Sequence, residues 1–193
     1  MELTNIFEQI FEKTDHTTTP LVKAEYERCV FNNCNFSNGN LSGVEFLECE
    51  FNGCDLSMVK LTKTALKDVR FKNCKMLGLR FDHCNVFGLA FSFDDCIAHY
   101  SSFYQTKLKK TRFTNTQLHQ ADFTECDCSS ALFDRCDLAD AKFENSILEK
   151  TDFRTAFNYS IDPAMNKIKK AKFSLSGLPG LLDKFDIEIE KSL

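Results

Sequence analysis

Apolar residues recur at every fifth position in the first half of this chain. Small or compact residues precede most of these centres by two positions, as Cys29 precedes Phe31 and Cys49 precedes Phe51. A period of five fits neither an amphipathic helix nor a β-strand. It predicts a repeat solenoid, in which each short unit buries its apolar side chains only by stacking on its neighbours. The centres are Leu21, Tyr26, Phe31, Phe36, Leu41, Phe46, Phe51, Leu56, Leu61, Leu66, Phe71, Met76, Phe81, Val86 and Phe91.

The pattern then shifts by two residues and continues to Phe153, which predicts a two-residue register break near 92–95. A longer period is also visible, because every fourth centre is Phe. Twenty residues therefore make one coil of four units, each with two inward residues, the centre and the residue two before it. The Phe column is Phe31, Phe51, Phe71, Phe91, Phe113, Phe133, Phe153 and Phe173.

Individual units carry a recognisable motif. They read Ala-Asp-Phe at 121–123, Cys-Asp-Leu at 136–138, Ala-Lys-Phe at 141–143 and Thr-Asp-Phe at 151–153. Over about residues 21–173 the chain resembles the pentapeptide repeat family, whose consensus is roughly A-[D/N]-L-x-x. The resemblance implies an all-β solenoid, a right-handed quadrilateral parallel β-helix. Seven to eight coils at strand spacing would make a rod roughly 35–40 Å long.

The two ends are predicted to differ from the repeat region at 21–175. In segment 1–20 the helical spacing of Leu3, Ile6, Phe7, Ile10 and Phe11 predicts a short N-terminal helix and a linker, with the helix capping the solenoid or binding a partner. Segment 176–193 predicts a C-terminal cap with a helix at 181–185 and a strand at 187–190. In similar quinolone-resistance proteins such a module pairs two rods, so we expect a homodimer here; the alternative is a simple cap. The candidate dimer interface is Leu178, Leu181, Leu182, Phe185, Ile187 and Ile189.

The ten cysteines and four histidines do not form a chemical motif. Nine cysteines occupy the inward position two before a centre and Cys128 is itself a centre, so we expect buried core thiols rather than disulfides or zinc ligands. Nucleophile-elbow, Walker A and dinucleotide motifs are not found. The sequence predicts no catalytic, cofactor-binding or metal-binding residues, no small-molecule substrate and no enzymatic activity. A membrane-spanning run and a signal peptide are not found either, so we expect a cytoplasmic protein that does not engage membranes.

Charge is distributed unevenly along the chain, although the net charge is only −4. Residues 60–80 are basic and residues 122–152 are acidic. The resemblance to quinolone-resistance pentapeptide proteins implies a DNA mimic that binds DNA gyrase or topoisomerase IV and protects against quinolones, without direct nucleic-acid contact. The best-known plasmid-borne members project two loops, whereas this chain has only the short break. The alternative is an interaction scaffold with another partner. The candidate acidic surface is Asp122, Glu125, Asp127, Asp134, Asp137, Asp140, Glu144, Glu149 and Asp152.

Overall fold

The computed structural model describes residues 4–190 and has the architecture of a four-sided, right-handed parallel β-helix. Short 3-10 helices lie at Phe81–His83, Leu175–Leu181 and Asp183–Phe185. The strands are β1 (Asn5–Phe7), β2 (Ile10–Glu12), β3 (Glu25–Glu27), β4 (Val30–Asn32), β5 (Glu45–Leu47), β6 (Glu50–Asn52), β7 (Ala65–Lys67), β8 (Val69–Lys72), β9 (Phe91–Asp94), β10 (Arg112–Thr114) and β11 (Leu132–Asp134).

Parallel ladders between successive coils define four faces. Face 1 contains the sheet β1-β3-β5-β7, and bridges from Lys107 to Lys167 continue it. Face 2 contains the seven-stranded sheet of β2, β4, β6, β8, β9, β10 and β11. Face 3 follows the bridges from Asp15 to Phe157, and face 4 follows those linking Asn40 with Lys60 and Arg80 with Ser102, Asp122 and Lys142. Each pentapeptide therefore supplies one side of the coil.

A continuous column of phenyl rings fills the interior behind face 2. Adjacent rings stack with centroids 4.7–5.5 Å apart, which is close to the spacing between parallel strands. A second column behind face 4, from Phe81 to Phe143, meets the first edge to face. Both contacts are favoured arrangements of aromatic pairs. The nine rings of the first column are Phe11, Phe31, Phe51, Phe71, Phe93, Phe113, Phe133, Phe153 and Phe173.

The inward residue two before each centre is often Cys, Ser or Thr as well as Ala, because those side chains can donate a hydrogen bond to the neighbouring coil. The Cys54 thiol donates to the Phe31 carbonyl at 3.2 Å, and the Thr151 hydroxyl donates to the Cys128 carbonyl at 2.7 Å. In each case the acceptor belongs to the coil below, 23 residues earlier. A small donor thus fills the space beside the ring and adds a hydrogen bond between coils. All ten cysteines are buried and unpaired, as the spacing predicts.

Residues 5–12 form strands β1 and β2, so the predicted N-terminal helix is wrong. Ile6 pairs with Tyr26 in the ladder, and the Phe11 ring stacks on Phe31 at 4.7 Å. The helical spacing was coincidental: Ile6 and Phe11 also fit the period of five, and they point inward, while Phe7 and Ile10 are exposed. Leu3, the first residue of the predicted helix, lies outside the described residues.

The two-residue insertion lies at 86–89 rather than 92–95. The Asn85 amide still donates to the Thr64 carbonyl in the regular register, whereas Val69 already pairs with Phe91 two residues late. Phe93, not Phe91, therefore continues the ring column, stacking on Phe71 and Phe113. The predicted centre Val86 is 81% exposed. Sequence periodicity could not decide between Phe91 and Phe93, because both are apolar; the interlocking of the rings decides it.

The C-terminal segment covers the last coil. The two 3-10 helices overlap the predicted helix at 181–185, but residues 186–190 form no strand, so that prediction is wrong. The C-terminal segment packs closely against Tyr159 at Gly180. Only glycine fits there, because a Cβ at position 180 would lie 2.1 Å from the Tyr159 carbonyl oxygen. Continuing the period of five beyond Phe153 would place centres at Asn158 and Pro163, but Tyr159 and Ile161 fill the interior instead.

Candidate partner-binding surface

The nine acidic residues predicted as one surface lie on all four faces. Face 1 carries Asp127 and Glu149 and face 2 carries Asp134 and Asp152, in the order that the ladders impose. Of the other five, Asp137 lies on face 3, Asp140 lies at the corner between faces 3 and 4, and the remaining three lie on or beside face 4. The fold therefore divides the predicted site into two groups, which differ in their surroundings.

Most carboxylates on faces 1 and 2 are paired with cations. Asp127 lies 3.1 Å from the Lys109 ammonium, and Asp152 lies 2.7 Å from the Arg154 guanidinium. The hydrogen bond from Arg154 lowers the pKa of Asp152 despite partial burial. Asp134 lies 3.1 Å from the guanidinium of Arg135. These charges are largely cancelled locally, so this group contributes little negative field.

The other five residues form a patch that we call the acidic lane: Asp122, Glu125, Asp137, Asp140 and Glu144. Glu125, Asp140 and Glu144 are exposed, and none of these three lies within 4.0 Å of a cationic group among residues 4–190. The Glu125 carboxylate accepts a hydrogen bond from the Gln105 amide at 2.7 Å. The lane also contains one cation, Lys142, the ladder partner of Asp122.

Asp137 anchors the face 3 side of the lane. Burial opposes its ionisation, but hydrogen bonds from Asn158 at 2.9 Å and from His119 at 2.8 Å prevail and lower its pKa. The His119 ring lies over His99, with centroids 4.3 Å apart. Burial, and then the charge of His119, lowers the pKa of His99. The carboxylate of Asp137 is thus held ionised at neutral pH.

The lane is dense but short. Its face 4 members belong to the coils of Phe123 and Phe143, whose rings stack 4.8 Å apart. Duplex DNA carries about one charge per 1.7 Å of axis, so about 10 Å of duplex carries about six charges. The five carboxylates and Lys142 together leave a net charge of −4 over two to three coils, about two-thirds of the charge on three base pairs.

The predicted C-terminal interface is divided as well. Leu181 and Leu182 are half-buried against the rod, and Leu181 packs on the core. Leu178, Phe185, Ile187 and Ile189 are exposed. A groove of about 430 Å³ runs between Pro163, Leu178 and Phe185 and is lined almost entirely by apolar atoms. The cap therefore presents an apolar surface at the end of the rod.

Sequence reasoning missed an exposed apolar bulge at Asn85–Leu89, which the two-residue insertion creates. Val86 is 81% and Phe87 is 77% exposed, and Gly88 turns with φ of +70°. The sequence does contain a signal for this bulge. Once the insertion is counted, the period of five places an inward centre at Gly88, which has no side chain to fill the core.

Burial makes three of the core thiols poor nucleophiles. Burial raises the pKa of Cys49, of Cys84 and of Cys136 to about 12, which disfavours the reactive thiolate. Across residues 4–190 no group of three or more His, Cys, Asp or Glu side chains is arranged to hold a metal ion. Within the same residues, no helix combines the length and apolar character needed to cross a bilayer.

This rod is similar to solved structures of known proteins. One of them is HetL from the cyanobacterium Nostoc sp. strain PCC 7120, a pentapeptide repeat protein involved in heterocyst differentiation regulation. The two sequences are 15% identical, the match covers 92% of this chain and 89% of HetL, and the TM-score is 0.57. The rod is also similar to QnrB1, a plasmid-mediated fluoroquinolone resistance protein, with 18% identity, coverage of 97% and 100%, and a TM-score of 0.46. None of the curated proteins compared matches the sequence.

A family model described as the pentapeptide repeat region matches residues 24–92 and 79–153. The two matches overlap across the bulge, where the register changes, and together they span more than half of the chain. Members of this family are generally structural or binding proteins rather than enzymes. The chain therefore belongs to the pentapeptide repeat family.

Proposed function

We propose that this protein is a non-enzymatic binding rod whose acidic lane mimics DNA and docks into the basic DNA-binding groove of a type II topoisomerase, DNA gyrase or topoisomerase IV. The observation that carries the proposal is the lane itself. Its exposed carboxylates are unneutralised and stand on a rigid ladder, and with Lys142 the lane carries about two-thirds of the charge density of duplex DNA. A groove built to hold phosphates supplies Lys and Arg that fit such a surface. Protection against quinolones would follow if the rod competes for the drug-poisoned complex.

Electrostatic steering predicts that binding weakens as salt rises. The test is gyrase supercoiling with and without a quinolone, measured with wild-type protein and with a variant neutralised at Asp122→Asn, Glu125→Gln and Glu144→Gln. The isosteric changes keep size and hydrogen bonding, so the fold is retained. We expect wild type to inhibit supercoiling at high dose or to restore it in the presence of the drug, and the variant to lose at least tenfold in potency, about 1.4 kcal/mol.

A matched control neutralises three carboxylates on the other faces: Asp127→Asn, Asp134→Asn and Glu149→Gln. Because two of these are already ion-paired, we expect potency within a factor of about two of wild type. Equal losses in both variants would show that net charge matters and the lane does not. Absence of any effect of wild type on either topoisomerase at low salt would refute the proposed partner.

The second candidate function is an interaction scaffold for a partner other than a topoisomerase. The shortness of the lane favours it, because two to three coils of charge fit a compact basic site as well as a long DNA groove. The same lane and control variants, applied to a partner recovered from the native host, would assign the binding surface.

We also propose that the apolar end surface, with Leu178 and Phe185 at its centre, pairs two copies. Exposed apolar side chains around one groove are costly in a monomer. The lane lies in the last coils, so end-to-end pairing would bring two lanes towards the middle of a doubled rod. Light scattering should show that Leu178→Asp with Phe185→Asp removes this contact; an unchanged mass would refute it. The ten unpaired thiols suit the reducing cytoplasm, which we propose as the site of action.

A further inference from the structure

The outward residues of face 1 have opposite charge in the two halves of the rod. Before the bulge, six carboxylates face two cations, Arg28 and Lys67. After the bulge, seven lysines face two carboxylates, Asp127 and Glu149. The carboxylates of the first half are Glu8, Glu25, Glu27, Glu45, Glu48 and Asp68.

Ion pairs within the chain leave most of this charge uncompensated. Arg28 contacts Glu8 and Glu48, and Lys67 contacts Glu45. In the second half Lys109 contacts Asp127. Among residues 4–190, the other lysines of that half have no carboxylate within 4.0 Å. They are Lys107, Lys110, Lys150, Lys167, Lys169 and Lys170.

The bulge lies where the charge changes sign, at the middle of the rod. It opens the coil of Phe93, the fifth of the nine stacked rings. Its Phe87 is exposed on face 1, and a groove of about 610 Å³ lies at the edge between faces 1 and 2. Leu89, Ala90 and Phe91 supply the apolar part of the groove lining, and Asp68 and Lys110 are among the charged residues lining it. The bulge therefore adds exposed apolar surface where the charge of face 1 changes sign.

We propose that two copies pair along face 1 in antiparallel orientation, about a two-fold axis through the bulge. In a two-fold contact each surface element meets its complement on the partner, so the acidic half of one copy lies against the basic half of the other. The same axis brings the exposed Phe87 side chains of the two copies together at the centre of the contact. A parallel pair would instead oppose like charges. Nine coils at strand spacing give a face about 40 Å long, which buries on the order of 600–800 Å² per copy, near the size of a standard interface.

The test uses two charge-reversed variants of the full chain. One carries Glu25→Lys, Glu27→Lys and Asp68→Lys, which makes both halves of face 1 net basic. The other carries Lys167→Glu, Lys169→Glu and Lys170→Glu, which makes both halves of face 1 net acidic. Each alone should lose self-association at least tenfold relative to wild type by sedimentation at low salt. Mixed in equal amounts, the two should associate with each other, which misfolded proteins would not do.

Two controls make the result specific. Lys60→Glu, Lys63→Glu and Lys72→Glu change the charge by the same amount away from face 1 and should leave association within about twofold of wild type. Phe87→Asp should weaken it at least tenfold while leaving the unfolding midpoint unchanged. Wild-type association through face 1 should also weaken at least tenfold between about 50 mM and 500 mM salt, as expected for contacts between exposed charges.

The end contact proposed above is distinguished by its own variant. Leu178→Asp with Phe185→Asp should leave the face 1 pair intact, and a wild-type mass above two chains would mean that both contacts form. Failure of the two charge-reversed proteins to associate when mixed would overturn the proposal. So would a wild-type dimer that is insensitive to salt and is lost only in the end variant.

Discussion

Replacing Phe133 by Ala tests whether stacked rings hold the coils together. The ring is fully buried, and it stacks on Phe113 at 4.8 Å and on Phe153 at 4.9 Å. It also meets the edges of Phe123 and Phe143. Truncating a buried Phe to Ala costs about 3–5 kcal/mol, and aromatic pairs add about 0.5–1.5 kcal/mol each beyond burial.

The backbone ladders fix the spacing of the coils above and below, so the cavity cannot close. We therefore expect a loss of about 4–5 kcal/mol in the free energy of unfolding. That is about a quarter or more of the roughly 5–15 kcal/mol that stabilises a typical domain. The measurement is urea unfolding followed by far-UV circular dichroism and by tyrosine fluorescence, with coincident curves required before a free energy is extracted.

Phe157→Ala is the matched control, because Phe157 projects outward on face 3 and is 48% exposed. It should cost less than about 1 kcal/mol. Phe133→Leu, which retains most of the buried volume, should fall between the two. A loss at position 133 no larger than at position 157 would refute the reasoning that the ring column stabilises the rod.

Three further outcomes follow from buried polar groups and thiols. Fewer than five of the ten cysteines should react promptly with a thiol reagent in the folded protein and all ten after denaturation; rapid labelling of five or more would contradict their burial. Asn166→Ala should cost about 2–3 kcal/mol, measured by urea midpoint, because the Phe143 carbonyl and the Ser146 amide both lose the buried Asn166 side chain as partner. Stability should fall between pH 7 and pH 5. The unfolded chain protonates His99 near pH 6.5, whereas burial and the charge of His119 lower the pKa of His99 in the folded state. His99→Gln should flatten this pH dependence of stability, and an unchanged slope would exclude His99 as the cause.

The repeat region could be predicted from sequence because one period governs both the local turn and the core. An inward side chain must recur every five residues for the coil to close, so the placement of Phe113 or Cys136 follows directly from spacing. The same rule extends to Ile6 and Phe11, but there a helical pattern fits equally well. Only the stacking of Phe11 on Phe31 decides between them.

The candidate surface was harder to predict, because a linear run of acids is wound onto four sides. Residues 122–152 read as one acidic block, yet neighbours such as Asp134 and Asp137 lie on different faces. Ion pairing then separates neutralised from unneutralised carboxylates. Some of these pairs are local, such as Arg154 with Asp152, but Lys109 and Asp127 lie 18 residues apart, and their pairing becomes visible only once the coil is closed.

The equal coil repeat makes the length of this protein a quantity that can change in whole steps. From Phe93 to Phe173 each ring stacks on one exactly twenty residues away in sequence, and the corners repeat with it. An in-frame deletion of residues 103–122 would join Ser102 to Phe123 and preserve every inward position on both sides. Duplication of the same segment would do likewise. Rods of different reach can therefore arise from this sequence by gain or loss of twenty-residue segments, with the ends and the bulge unchanged.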